Sequence, residues 1–290
     1  MDKVFILGNP RSGTSLFRLM LNSHSLINAT PECGFLHWWF KKYADWDSSC
    51  VTSNRLDEYI SDLESSKRIE DWRMDYAKLK AKIIQEKPKN YAELGELVYI
   101  FHGEQKGKKA KVIADKNNYY INHYDDLKEI WPDAKYILVV RDGRDVACSY
   151  LNIETLVTNS PYKPKLPTDI KTIAKEWLTN NQNILNFSAS LPDNQFMVIR
   201  YEDFVEESEL YLSKVCDFLG LNFESNMLNY FIKNAKEQDE PLSSLDWKKK
   251  TLEKPDKDNI GKYKMELEKD SIEEFNTISK EILQKFNYEI

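Results

Sequence analysis

The sequence predicts a three-layer α/β domain, a central parallel sheet with helices on both faces. Three observations carry this. Short apolar runs recur along the chain and each is followed by an amphipathic stretch, the alternation that builds βαβ units. The first of these runs leads into a glycine-spaced loop that opens a helix, a strand-to-helix junction suited to holding an anion. The 290 residues, 41% hydrophobic and rich in Trp, Tyr and Phe, are enough for one large core. A single domain over 1–290 is therefore expected.

In chain order, "KVFIL" (3–7) reads as the first strand, and the helix after it begins near Gly13. From Asn54 to Gln105 the apolar residues fall at helical spacing with a break at Pro88, predicting a helical subregion that covers the sheet and walls an acceptor cleft. "AKVIA" (110–114), "KYILVV" (135–140) and "QFMVIR" (195–200) read as further strands. "DIKTIAKEWLTNNQNILNFSASL" (169–191) has helical spacing, and Ile272 to Phe286 reads as a closing helix. Between them, 243–267 is polar, lysine-rich and interrupted by Pro255 and Gly261, so a loop is expected there. No internal repeat is present.

A formal charge of −6 argues against a nucleic-acid partner, so any anion site has to be local. Cys33, Cys50, Cys148 and Cys216 are scattered, without a CxxC pair, which predicts reduced thiols in a cytoplasmic protein. No stretch reaches about 18 apolar residues, and no membrane association is expected. Nor does any spacing suggest a metal site.

The chemistry concentrates in "VFILGNPRSGTSLFRLML" (4–21). Gly8-x-x-x-x-Gly13-Thr14-Ser15 keeps the glycine spacing and terminal hydroxyl of a P-loop, whose backbone N–H groups cup phosphate, and makes the expected fold P-loop-type. The loop's lysine is absent, with Thr14 in its place, which disfavours a nucleoside triphosphate. Arg11 restores a cation from inside the loop, and its fork matches a tetrahedral oxyanion. In "KYILVVRDGRDVACSYL" (135–151), Arg141 falls at a strand's carboxyl end, where open α/β sheets bind ligands, with Ser149 eight residues on in a helix.

With its flanking strand and helix, "PRSGTS" (10–15) resembles the 5′-phosphosulfate-binding loop of sulfotransferases that use 3′-phosphoadenosine-5′-phosphosulfate (PAPS), above all their tyrosylprotein and bacterial branches. The resemblance runs from residue 3 to about 221. It implies that Arg11, Ser12, Gly13, Thr14 and Ser15 hold the donor's 5′ end and that Arg141 and Ser149 hold its 3′-phosphate. Tyr201, in "RYED", is implied near the nucleotide; so is Lys262, in a nucleotide-closing segment that has Tyr263 where the family usually has Trp.

The same resemblance implies that Glu32, in "ATPECGF", is the general base and that Lys116, in "VIADKNNYY", meets the transferring sulfuryl group beside Arg11. His37 is the alternative base, whereas His24 reads as structural. The implied reaction is in-line transfer from PAPS, releasing adenosine-3′,5′-bisphosphate (PAP) without a metal. The acceptor is a hydroxyl or amine of a small molecule, a carbohydrate or a protein tyrosine, with a small molecule or carbohydrate preferred and a homodimer left open. Two rivals remain at this stage, a P-loop kinase or NTPase and a non-catalytic nucleotide-binding module.

Overall fold

The computed structural model describes residues 1–290. Five strands form one parallel sheet: β1 (Asp2–Leu7), β2 (Ile27–Ala29), β3 (Val112–Lys116), β4 (Lys135–Val140) and β5 (Phe196–Arg200), in the order β2-β3-β1-β4-β5. Successive side chains alternate faces, so β1 sends Val4 and Ile6 to one core and Phe5 and Leu7 to the other. Because both faces are covered, β1 and β4 carry continuous apolar runs, Val4–Leu7 and Tyr136–Val140, and "KYILVV" is β4 itself.

One face is covered by helix α1 (Thr14–Asn22), Tyr201–Glu206, Ser208–Leu219 and Tyr230–Glu237. The other carries Asn54–Glu64, Tyr76–Glu86, Tyr91–Gln105, Gly143–Glu154, Ile170–Ser188 and Lys269–Lys285. The chain moves from β1 toward β2 and β3, then returns to β4 on β1's other side. That reversal leaves a crevice at the carboxyl ends of β1 and β4, where both glycine-containing turns emerge.

Three elements differ from expectation. β3 lies two residues later than "AKVIA" and takes in Asp115 and Lys116, pairing Asp115 with Phe5 and Lys116 with Ile6. Charged residues are poor strand formers, but here the Tyr99 and Tyr120 hydroxyls donate to the Asp115 carboxylate at 2.6 and 2.7 Å inside the core. β2 was not expected, since three residues are too few to carry a period. It is fixed from outside by β3 and by the Asn28 amide donating to the Tyr99 carbonyl at 2.8 Å. The expected loop at 243–267 is a strap of short helical turns: Leu245–Lys248, Lys249–Leu252, Lys257–Asn259 and Tyr263–Glu266.

Gly143 opens the helix after β4, and a Cβ there would lie 2.4 Å from the Phe275 ring and 2.7 Å from Trp177, both buried. Gly143→Ala should lower unfolding free energy by about 1–3 kcal/mol through overpacking, read as a lower midpoint in urea at unchanged slope. An unchanged midpoint would mean that the two helices do not seat against this turn.

Candidate active site

The loop after β1 is built to approach something closely. Gly13 has φ 88°, and a Cβ on it would strike the Tyr201 ring at 2.4 Å. Arg11 has φ 70°, the left-handed region that non-glycine residues seldom occupy and that clusters at functional sites. This conformation lets its Nε donate to Ser149 Oγ at 3.0 Å and a terminal nitrogen to the Trp247 carbonyl at 2.9 Å, joining the β1 turn, the helix after β4 and the strap.

Arg141, at the end of β4, packs 4.6 Å over the Tyr201 ring and donates to the Asn259 carbonyl at 2.6 Å and the Arg11 carbonyl at 3.4 Å. Its Nε is buried without a partner, and so is Ser12 Oγ below the loop. Orphaned buried donors are rare, and these two, one in the turn after β1 and one at the end of β4, fit a site for an oxyanion. Asp145 pins the strap by accepting from the backbone N–H groups of Gly261 and Tyr263 at 2.8 and 3.0 Å. Arg144 stacks 4.1 Å from Tyr263, the residue standing where the family usually has Trp.

Glu32 lies at the far end of the same crevice. Lys116 donates to its Oε1, Lys248 approaches that oxygen at 3.2 Å, and Arg68 reaches Oε2 at 2.5 Å. Burial raises the pKa of this carboxyl, yet Lys116, Lys248 and Arg68 together hold it well below the usual carboxylate range. The Lys116 ammonium is pushed down to about 8, by burial first and then by Lys248, with Glu32 opposing. Arg11 falls to about 10 through burial and the neighbouring Arg141. Lys248 also pairs with Glu240 at 2.6 Å, which in turn binds the buried Arg18 at 2.8 Å.

Arg11, Gly13, Thr14, Ser15, Glu32, Lys116, Arg141, Ser149, Tyr201 and Lys262 all line one cavity of about 980 Å³, with Ser12 buried beneath it. Lys262 turns toward Glu266 at 3.2 Å. The alternative base, His37, is not on this wall; it pairs with Asp126 at 2.7 Å. His24 hydrogen-bonds the Asn222 carbonyl and the Leu26 N–H, a structural role. Sequence reasoning missed Arg68 and Lys248. Lys248 begins a triple-lysine run that looks like a solvated loop, and only the helical turn directs its first member inward.

The Sulfotransferase family profile matches residues 3–225. This chain belongs to that family. Among curated proteins it is 23% identical over 227 residues to protein-tyrosine sulfotransferase A of Caenorhabditis elegans, covering 78% of this chain and 52% of that one. It is 24% identical over 230 residues to protein-tyrosine sulfotransferase 2 of Gallus gallus, covering 79% and 54%. The chain thus spans about half the length of these two relatives.

Among solved structures, the sulfotransferase domain from the curacin biosynthetic pathway superposes with TM-score 0.66 at 21% identity, covering 100% of this chain and 98% of that one. The corresponding domain of the Synechococcus PCC 7002 olefin synthase gives 0.62 at 22%, covering 100% and 96%. These likenesses establish the sulfotransferase fold, with its P-loop-like turn and parallel sheet, for the family member described here.

The depressed pKa of Glu32 stabilises the fold above the ordinary carboxylate pKa, and this contribution disappears as pH falls through the folded value. The stability difference between wild type and Glu32→Gln should therefore be largest near pH 6 and shrink steadily below about pH 4.5, measured by urea unfolding at each pH. A pH-independent difference would mean that the three cations do not hold the carboxylate.

Proposed function

We propose that this protein transfers a sulfuryl group from PAPS to a hydroxyl, phenolic in class and carried on an acidic acceptor, with Glu32 as general base. The observation that carries the reading is a carboxylate and an ammonium, Glu32 and Lys116, in contact within the cavity that the anion-cupping loop opens into. An in-line transfer needs a proton acceptor on one side of sulfur and cations on the other. Glu32 takes the acceptor's proton as its oxygen bonds to sulfur. The sulfur–oxygen bond to the nucleotide breaks with its electron pair passing to the departing phosphate, where Arg11 and Lys116 offset the developing charge.

Beneath three cations Glu32 is a weak base. A donor whose sulfonate draws Lys116 toward itself would loosen that grip and restore basicity when it is needed. Arg141 and Ser149 are assigned to the 3′-phosphate, Tyr201 to the nucleotide and Lys262 to its closing segment. For the acceptor, the relatives' names say protein tyrosine, and Lys67, Arg68, Lys163 and Lys165 line the same cavity around Tyr162. Those cations suit an acidic peptide or small molecule bearing a phenol. A cytoplasmic setting is part of the proposal, supported by four unpaired cysteines. Against an NTPase stands Thr14 at the lysine position. Against a pure binding module stands Glu32, which nucleotide binding alone does not require.

PAP should raise Tm, as any ligand selective for the folded state does. Arg141→Ala should weaken PAP by more than tenfold and adenosine-5′-phosphosulfate much less, both read by calorimetric titration. Equal losses would take the 3′-phosphate away from Arg141.

Glu32→Gln keeps the shape of the base and removes its function. Turnover of a tyrosine peptide or simple phenol in a labelled-sulfate assay should fall roughly 10² to 10⁴-fold, with PAP affinity nearly unchanged. Arg11→Ala should damage both quantities. Near-normal turnover in Glu32→Gln would require another base.

A further inference from the structure

Outside the reaction cavity a second cluster of ligating side chains is assembled from parts of the chain far apart in sequence. His37 lies on the short helix Phe35–Trp38; His123 caps the helix Tyr124–Ile130, and Asp126 is in its first turn. Three residues apart at a helix start, His123 and Asp126 share a face. The ring centroids of His37 and His123 are 4.1 Å apart, and His37 Nε2 is 2.7 Å from Asp126 Oδ2. One ligand atom from each residue falls within 4.8 Å of the others, and all three side chains are only partly exposed.

We propose that His37, His123 and Asp126 bind a divalent transition metal of the zinc class. Two imidazoles and one carboxylate form a nitrogen-rich set that suits zinc, and water would complete a tetrahedron. Ligand atoms around tetrahedral zinc lie about 3.4 Å apart, so the three need only rotamer adjustments to close on an ion. The cluster also has the outer support of a metal site. The Tyr119 hydroxyl lies 3.0 Å from His37 Nδ1, orienting that ring and leaving Nε2 toward the carboxylate. Both hydrogen bonds of the cluster involve His37, so the His123 ring nitrogens are left for an outside ligand.

Such an ion would act as a clip rather than as part of the chemistry. It would join the helix Phe35–Trp38, just after Glu32, to the helix Tyr124–Ile130, which follows Lys116 and the turn Asn118–Asn122; neither helix lines the reaction cavity. Sequence spacing hides the site, because His37 and His123 are 86 positions apart and only the fold brings them together.

The test is a zinc titration of the chelator-treated full chain against a chromophoric competitor, followed by thermal unfolding with and without zinc. Wild type should take one equivalent and gain Tm. His123→Ala and His37→Ala should each weaken zinc at least tenfold and abolish the gain, and Asp126→Asn should weaken it less. Each variant should keep its metal-free Tm close to wild type and still bind PAP, which separates loss of the site from loss of the fold. Should a variant fail to fold, Asp126→Asn and Tyr119→Phe carry the test. Tyr119→Phe should reduce affinity while leaving one equivalent. No zinc uptake by wild type, or uptake unchanged in His123→Ala, overturns the proposal; the latter would point to cysteine ligands such as the half-buried Cys50.

Discussion

The constraint on which the rest of this structure depends is an excess of positive charge held at the carboxyl edge of the sheet. Arg11, Arg141, Lys116, Lys248 and Arg68 converge there, answered by Glu32, Glu240 and, 3.9 Å from Arg141, Asp145. Burying a charge without compensation costs several kcal/mol, so the surroundings are arranged to offset as much as neutral groups can. Arg11 is given a hydroxyl and a carbonyl, and Arg141 two carbonyls and an aromatic face. These contacts orient the guanidinium groups, and the one carboxylate within 4 Å of either, Asp145, is shared with two backbone N–H groups of the strap. What is left over is an attraction for a compact, multiply charged anion, and a left-handed Arg11 is the local strain that aims it.

The strap from Leu245 to Glu266 follows from the same constraint. It has no continuous helix or strand, yet it touches each part of the site: the Trp247 carbonyl on Arg11, Lys248 on Glu32 and the Asn259 carbonyl on Arg141. Asp145 anchors its far end through two backbone N–H groups. A segment held mainly by such polar contacts belongs to the less stable part of a fold, the part from which closing elements are drawn. Because one segment contacts both Arg11 in the β1 turn and Glu32, it ties the two ends of the cavity together.

How much of this is legible in the sequence depends on how local each feature is. β1 and β4 contain continuous apolar runs, Val4–Leu7 and Tyr136–Val140, and can be read directly, as can Arg11, Arg141 and Ser149, each within a few residues of the turn that explains it. Glu32 and Lys116 are 84 positions apart, and nothing in their spacing reveals that they touch; a family resemblance pointed to both. β2 was invisible because three residues carry no period. Lys248 and Arg68 were invisible for a different reason. A lysine in a charged run or an arginine after a helix is ordinarily solvated, and only tertiary packing turned these two inward.

Charge illustrates the same limit at the scale of the whole chain. The net charge of −6 correctly says that the surface is acidic on balance, but the cavity is lined by eleven lysines and arginines against five aspartates and glutamates. Screening at physiological ionic strength acts over about 8 Å, so a small anion inside the cavity responds to the lining and hardly at all to the distant acidic surface. A long polyanion draped across the molecule meets both. The lining thus offers a favourable potential to a compact anion short enough to sit within the cavity, whatever the balance of charge on the exterior. Net charge alone therefore gives no argument against an anionic acceptor, because the relevant field is set within a few ångströms of Glu32 and Arg11.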